Sequence, residues 1–205
     1  DENNEDTGTL QYLASTAMEA GFSTRVLDMQ ALDLQNGRFF DPAGELVNRC
    51  FKLYPWEWMV DESPDGCLAE MEWLEPIWKL VMSNKAILAT LYELFPDSPY
   101  VLPCYLSRPR SGLFCKKPIF SREGHNVSVV DIRDWEEYVR IAETEGDYNT
   151  GAYVYQEYVE PTAYSGRYPV IGSWIIGGEA AGIGIRENRM EVTDNLSEFV
   201  PHIIG

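Results

Sequence analysis

The sequence lacks the features of several protein classes. Its 205 residues include four cysteines and two histidines, and no two cysteines form a CxxC pair. Cys50, Cys67, Cys104 and Cys115 are therefore expected to be reduced thiols rather than zinc ligands or a disulfide framework. The chain has no long apolar run, and its acidic start is the reverse of a signal peptide. We expect a cytoplasmic protein with no membrane-spanning segment.

Basic residues are scarce: 16 Lys and Arg stand against 33 Asp and Glu, which gives a net charge of −17. Nucleic acids and anionic membranes need a basic face, so neither is expected as a partner. The acidic surface fits simple solubility, and it would also attract a cationic ligand. The hydrophobic content of 45% and aromatic content of 13% predict an ordered core, in one large domain or two modest ones.

The first third of the chain predicts a helix followed by a strand. Apolar residues recur at helical spacing over Thr9–Ala20, and Gly21 follows where a helix end favours positive φ. Thr24–Met29 has the composition of a strand, so the pair resembles the second half of a βαβ unit. Asn36-Gly37 and the segment 41–44 predict turns.

Four of the six tryptophans lie between Cys50 and Trp78. These residues, Trp56, Trp58, Trp73 and Trp78, could form a base-stacking surface or a subunit interface. Large aromatic side chains between α/β elements are more often core, so we expect them to pack against a sheet.

The second half predicts two helices and an antiparallel sheet. The predicted elements are helices over Ser83–Phe95 and Asp131–Thr144, and strands over Leu113–Lys117, Ala152–Val159, Tyr168–Gly177 and Ala180–Ile185. Ser83 or Asn84 can cap the first helix, and Gly177-Gly178 is a plausible hairpin tip.

Five of the 16 cationic residues fall between Arg108 and Arg122, around the stretch Gly112–Val127. Lys116 and Lys117 alternate along a predicted strand, so one can face phosphate oxygens while the other faces solvent or a cleft rim. The following loop offers a hydroxyl, a cation and a glycine that permits close backbone approach, in Ser121, Arg122, Glu123, Gly124, His125 and Asn126. A phosphate-binding loop and an ordinary surface hairpin both fit this pattern.

Two further segments fit a nucleotide site. Main-chain groups of Gln156, Glu157, Tyr158 and Val159 could read adenine. Lys85 at a helix start could contact phosphate or simply be solvated.

Several motifs in this sequence resemble the C-terminal half of the glutathionylspermidine synthase family. They are LYPWEW (53–58), LEPIWK (74–79), SNKAIL (83–88), KKPIFSREGHNV (116–127), YVYQEY (153–158), VIGSWIIGGEAAGIGIRE (170–187) and TDNLSEFVPHII (193–204). The resemblance extends from about Asp6 to Ile204 and is strongest to single-domain bacterial acid–amine ligases.

The resemblance implies an α/β protein with α+β elements: a Rossmann-like pre-ATP-grasp region and aromatic connecting segment over residues 1–80, then an ATP-grasp subdomain with an antiparallel sheet over residues 81–205. It also implies a carbon–nitrogen ligase in which ATP, with Mg²⁺, phosphorylates a carboxylate that an amine then attacks. The carboxylate would be glutathione or a similar peptide, and the amine would be like a polyamine.

The resemblance also implies roles for particular residues. Lys85 and Lys117 correspond to phosphate-binding lysines, segment 121–126 to a phosphate loop and segment 156–159 to an adenine hinge. Arg186 and Glu187 would act on substrate or phosphate, although a surface ion pair is an equally good interpretation. His202 is expected to be structural or exposed.

The family's metal ligands belong to an RxD segment followed by ExN, and this pair is absent from the sequence. We therefore expect the metal-binding part to precede Asp1, which would make this chain a fragment with little activity alone. A nucleotide- or polyamine-binding module without ligase chemistry is the alternative.

Overall fold

The structure is a computed structural model that describes residues 5–134, 137–148, 151–192 and 197–203. The chain divides into two compact units, Asp1–Met82 and Ser83–Gly205. Both combine helices with antiparallel sheets, which confirms the predicted mixed α/β class. Among the described residues, every helix is too short or too polar to cross a bilayer.

The first unit contains short strands between helical segments. Its α-helices are α1 (Glu5–Glu19), α2 (Trp56–Glu62) and α3 (Pro64–Cys67), and its 3-10 helices are Met29–Ala31 and Ile77–Lys79. Its strands are β1 (Asp33–Gln35), β2 (Arg38–Phe40), β3 (Leu46–Val47), β4 (Arg49–Phe51) and β5 (Glu72–Leu74). β1, β2 and β3 form an antiparallel meander, whereas β4 and β5 pair in parallel and are connected through α2 and α3.

The predicted N-terminal helix is confirmed, and α1 is followed by Gly21 with φ of 90°. The strand predicted over Thr24–Met29 is wrong. The Asp28 side chain instead accepts the Gln30 N–H at 3.0 Å and starts the 3-10 helix. A short polar side chain that binds nearby backbone competes in this way with a strand ladder.

Both predicted turns of the first unit are confirmed. Asn36 and Gly37 have φ of 49° and 76° between β1 and β2, the left-handed pair that suits a two-residue hairpin. In the second turn the buried Asp41 carboxylate accepts the N–H groups of Ala43 and Glu45, each at 2.9 Å.

The aromatic region supplies the core of the first unit. Trp73 packs edge-on against Trp56 and Phe39, with ring centroids 5.3 and 5.8 Å apart, and all three are buried. The prediction of core packing is therefore confirmed for Trp56 and Trp73. It is wrong for Trp58 and Trp78, which are 45% and 60% exposed.

The second unit contains two antiparallel sheets and one main helix. Its elements follow the short helix α4 (Leu80–Ser83) and are α5 (Ala86–Leu94), β6 (Cys104–Tyr105), β7 (Gly112–Pro118), β8 (Ser128–Ile132), β9 (Tyr138–Glu143), β10 (Tyr153–Glu157), β11 (Tyr168–Ile176), β12 (Glu179–Asn188) and β13 (Glu198–Val200). The larger sheet has the order β6-β10-β7-β8-β9, and the smaller has the order β11-β12-β13. Gly177 and Gly178, with φ of 61° and 87°, form the predicted hairpin tip.

The helix predicted over Asp131–Thr144 is wrong. Residues 128–132 pair with β7 and residues 138–143 pair with residues 128–132, so both segments are antiparallel strands. The β-branched run Val127–Ile132 favours strand, and Val130 and Ile132 are only 1% exposed. Tertiary pairing therefore overrode an apparent helical spacing; residues 135 and 136 lie outside the described residues.

Side-chain packing covers both faces of the larger sheet. On one face, Ala89 of α5 packs with the fully buried Val154 and with Cys104. On the other, Phe114 packs with Val130 and Ile132.

We predict that Trp56→Ala lowers the free energy of unfolding by about 3–5 kcal/mol, because it opens a cavity in the first core. Trp78→Ala is the matched control and should change it by less than about 0.5 kcal/mol, since that ring is exposed. Urea denaturation followed by circular dichroism measures both. Equal effects of the two substitutions would contradict this description of the core.

Candidate functional site

Strand β7 ends with two lysines that face opposite sides of the larger sheet. Lys116 lies opposite Tyr155 and Lys117 opposite Val154, so their side chains alternate as predicted. The Lys117 ammonium donates a hydrogen bond to Gln156 Oε1 at 2.7 Å. The Lys116 ammonium lies 3.9 Å from the centroid of the Tyr153 ring. Only Lys117 therefore shares a face with Gln156.

Lys85 contacts the start of the predicted phosphate loop. Its backbone N–H donates to the Ile119 carbonyl at 2.8 Å. Its ammonium donates to the Ser121 hydroxyl at 2.9 Å and to the Ser121 carbonyl. Asn84 Oδ1 accepts the Ala86 N–H at 2.9 Å just before α5, whereas the N-cap position is Lys85 and not the predicted Ser83 or Asn84. Lys85 is thus fixed to the loop rather than fully solvated.

The loop 121–126 connects the antiparallel strands β7 and β8 and is a compact turn. The His125 N–H donates to the Arg122 carbonyl at 2.9 Å. Glu123, Gly124 and Asn126 have φ of 53°, 73° and 55°, so three residues adopt the left-handed region that bends a chain sharply. Phosphate binding by this loop stays a prediction.

The segment after β9 holds the loop in place. Thr144 Oγ1 accepts the Val127 N–H at 2.9 Å and donates to the Gly124 carbonyl. Asn126 Oδ1 accepts the Tyr148 N–H at 2.8 Å. Gly146 lies so close that a Cβ there would collide with His125 and approach Asn126 Oδ1 to 2.9 Å. His125 and Asn126 therefore have structural contacts, whereas Arg122 and Glu123 are exposed.

Sequence reasoning missed Thr144 and Gly146. Thr144 is the last residue of the segment that was predicted as a helix, and Gly146 follows it, where a lone glycine is typical of a helix end. The available signal was Gly146, between Glu145 and Asp147, because a glycine lets another part of the chain approach its backbone closely.

The predicted adenine hinge is held largely by protein contacts. The N–H groups of Glu157 and Tyr158 donate to the carbonyls of Pro103 at 2.8 Å and Leu113 at 3.0 Å. The Tyr158 hydroxyl donates to Glu191 Oε2 at 2.5 Å, and this bond raises the pKa of Tyr158. Val159 is 58% exposed. Adenine recognition here stays a prediction.

Two thiols flank Gln156 on the face that carries Lys117. Cys104 lies opposite it in β6 and Cys115 opposite it in β7. Burial raises the pKa of both thiols, and the nearby Lys117 ammonium lowers it in part. Both are therefore protonated at neutral pH and are poor nucleophiles. All four cysteines are free thiols, as predicted.

Arg186 and Glu187 are neighbours on β12, so their side chains point to opposite faces of the smaller sheet. The Arg186 guanidinium lies 5.8 Å from the centroid of the Phe199 ring, and Glu187 lies opposite Glu198. Within the described ranges, Arg186 and Glu187 form no ion pair with each other. Their substrate role stays a prediction, and His202 is exposed.

The described residues do not assemble a metal site. Across those ranges, no three His, Cys, Asp or Glu side chains lie together in a way that could hold an ion. Binding of Mg²⁺ stays a prediction.

Comparison with known proteins gives a consistent set of relatives. A family model described as glutathionylspermidine synthase preATP-grasp matches residues 1–205. A protein named as an acid–amine ligase, from Haemophilus influenzae, is 36% identical over 98% of this chain and 54% of its own length. The trypanothione synthetase of Crithidia fasciculata is 36% identical over 62% of this chain and 19% of its own length.

The bifunctional glutathionylspermidine synthetase/amidase of Escherichia coli is 27% identical over 95% of this chain and 36% of its own length. The chain thus spans about half the length of the acid–amine ligase and smaller parts of the synthetases.

We predict that Thr144→Val accelerates amide hydrogen exchange in the loop 121–126 and at Val127 by about fivefold, because one net hydrogen bond is worth about 1 kcal/mol. Thr90→Val, at an exposed position of α5, is the matched control and should leave the loop unchanged. Unaltered exchange in Thr144→Val would show that the loop does not depend on this anchor.

Proposed function

Because this chain belongs to the glutathionylspermidine synthase family, we propose that it carries the nucleotide-binding part of an ATP-dependent ligase that joins a carboxylate to an amine. Lys117 and Lys85 bind the phosphates of ATP, with the loop 121–126 beside them. This proposal covers the whole protein's activity, which the family membership and the names of its relatives support.

The observation that carries the proposal is the environment of Lys117. This chain has about twice as many acidic as basic residues, yet the Lys117 ammonium donates to the neutral amide oxygen of Gln156 at 2.7 Å. Elsewhere in the described residues, Arg25, Arg38, Arg49 and other arginines pair with carboxylates. A cation with a neutral hydrogen-bond partner on a half-buried strand is suited to an anionic ligand.

Lys85 is held near the end of the same strand. Its ammonium donates to the hydroxyl and carbonyl oxygens of Ser121. Its backbone is fixed at Ile119, two residues after Lys117 in the chain. Two lysines held at the end of β7 would supply the charge neutralisation that phosphoryl transfer requires.

The proposed reaction has two steps. A carboxylate oxygen of the acid attacks the γ-phosphorus of ATP, the bond to the bridging oxygen breaks, and ADP leaves. The amine then attacks the carbonyl carbon of the acylphosphate, loses a proton and expels inorganic phosphate, so that the amide forms. Phosphorylation is needed because a carboxylate otherwise has a very poor leaving group. Lys117 and Lys85 contribute by positioning the phosphates and offsetting their charge.

The proposed acid is glutathione or a similar peptide, and the proposed amine is a polyamine. The names of the synthetase relatives support both classes. The net charge of −17 supports a cationic amine, because a strongly acidic protein attracts cations to its surface.

The proposal also assigns roles to the other predicted site residues. We assign main-chain groups of Gln156, Glu157, Tyr158 and Val159 to the nucleotide base, and Arg186 with Glu187 to substrate. Mg²⁺ would accompany ATP, and no step is assigned to it here because the described residues do not form its site.

We predict that Lys117→Met lowers ATP-dependent phosphate release in the intact protein by at least about 100-fold, since a charged hydrogen bond to phosphate is worth about 1.5–3 kcal/mol and more when desolvated. Lys79→Met removes the same charge in the first unit, where Lys79 lies beside the Trp78 ring, and should leave turnover unchanged. A phosphate-release assay with an acid and an amine measures both.

Unchanged turnover in Lys117→Met would remove Lys117 from the site. Binding of ATP by the intact protein without phosphate release, for any tested pair of glutathione-like acid and polyamine, would favour a binding module over a ligase.

A further inference from the structure

The side chain of Gln156 contacts the Lys117 ammonium. Gln156 lies opposite Cys115 in β7, and Lys117 is two residues further along the same face. The resulting diagonal contact places Gln156 Oε1 2.7 Å from the Lys117 ammonium. The amide oxygen is thus bound to Lys117 rather than to the main-chain groups of the predicted adenine hinge.

From this contact we infer that Gln156 is a positioning residue: it holds the Lys117 ammonium in place for the nucleotide phosphates with a neutral acceptor and does not read adenine itself. The inference rests on the proposed function. A phosphate oxygen is a charged and therefore stronger acceptor than an amide oxygen, so an arriving nucleotide can take over the ammonium.

The neutrality of the acceptor is the important property. A carboxylate at position 156 would bind the ammonium more strongly than the neutral amide does and would compete with phosphate. The carboxylate of Glu191, which influences the pKa of Cys115 and thus lies near this face, is already bound by the Tyr158 hydroxyl at 2.5 Å. In the described part of the chain, no carboxylate pairs with Lys117.

Calorimetric titration of the intact protein with ATP and with inorganic tripolyphosphate tests this role, because tripolyphosphate has no base. Gln156→Glu keeps the size of the side chain and replaces the neutral acceptor with a charged one. We expect it to weaken binding of both ligands by at least tenfold. Gln156→Met removes the acceptor and keeps the Lys117 charge, so a smaller loss of two- to fivefold is expected for both ligands.

Two controls separate this role from general effects. Gln11→Glu, on the exposed part of α1, adds the same charge and should change neither affinity by more than twofold. In a Lys117→Met background, Gln156→Met should cause no further loss, because Gln156 acts through Lys117. Circular dichroism of each variant reports whether the fold is kept. Gln156→Met and Gln156→Glu give two independent measurements of how position 156 affects ligand affinity.

Each outcome bears on the inference. Loss of ATP affinity with unchanged tripolyphosphate affinity in Gln156→Glu would mean that Gln156 reads the base, which overturns the inference and keeps the proposed function. Equal losses for Gln156→Met with and without Lys117 would also overturn it. Wild-type protein that binds neither ligand would refute the proposed function and this role together.

Discussion

The register between β7 and β10 determines what the second unit can present to a ligand. It places Tyr155 opposite Lys116 and Val154 opposite Lys117, so the two lysines separate to opposite faces. A slip of one residue would exchange them. The buried Val154, packed against α5, makes such a slip costly because it would turn the valine away from the α5 side chains. Core packing therefore fixes which lysine meets Gln156.

The same strand anchors the other parts of the candidate site. Its end carries Ile119, which accepts the Lys85 backbone, and Ser121, which accepts the Lys85 ammonium. The loop that follows is tied on its far side to Thr144 and, through Asn126, to the Tyr148 backbone. Lys85, the loop and Lys117 are therefore parts of one hydrogen-bonded arrangement, even though 36 residues separate Lys85 from Ser121 in the chain.

Local chemistry made part of this arrangement predictable from the sequence. Turns depend on the conformational freedom of single residues, so Asn36-Gly37 and Gly177-Gly178 were recognisable, and alternation separated Lys116 from Lys117. Non-local pairing was not recognisable. Segment 131–144 has an apparent helical spacing, and only the ladders between β7 and β8 and between β8 and β9 make it sheet. The contact between Lys117 and Gln156 also joins residues far apart in sequence, so spacing alone could not assign Gln156 to a lysine rather than to adenine.

The central claim is that ATP phosphates take the Lys117 ammonium from Gln156. Nitrogen-15 NMR of the lysine ammonium groups during an ATP titration measures this directly, with signals assigned by single substitutions. The account predicts that the Lys117 and Lys85 signals shift and saturate together, while the Lys79 signal stays in place. Saturable ATP binding with an unmoved Lys117 signal would contradict it.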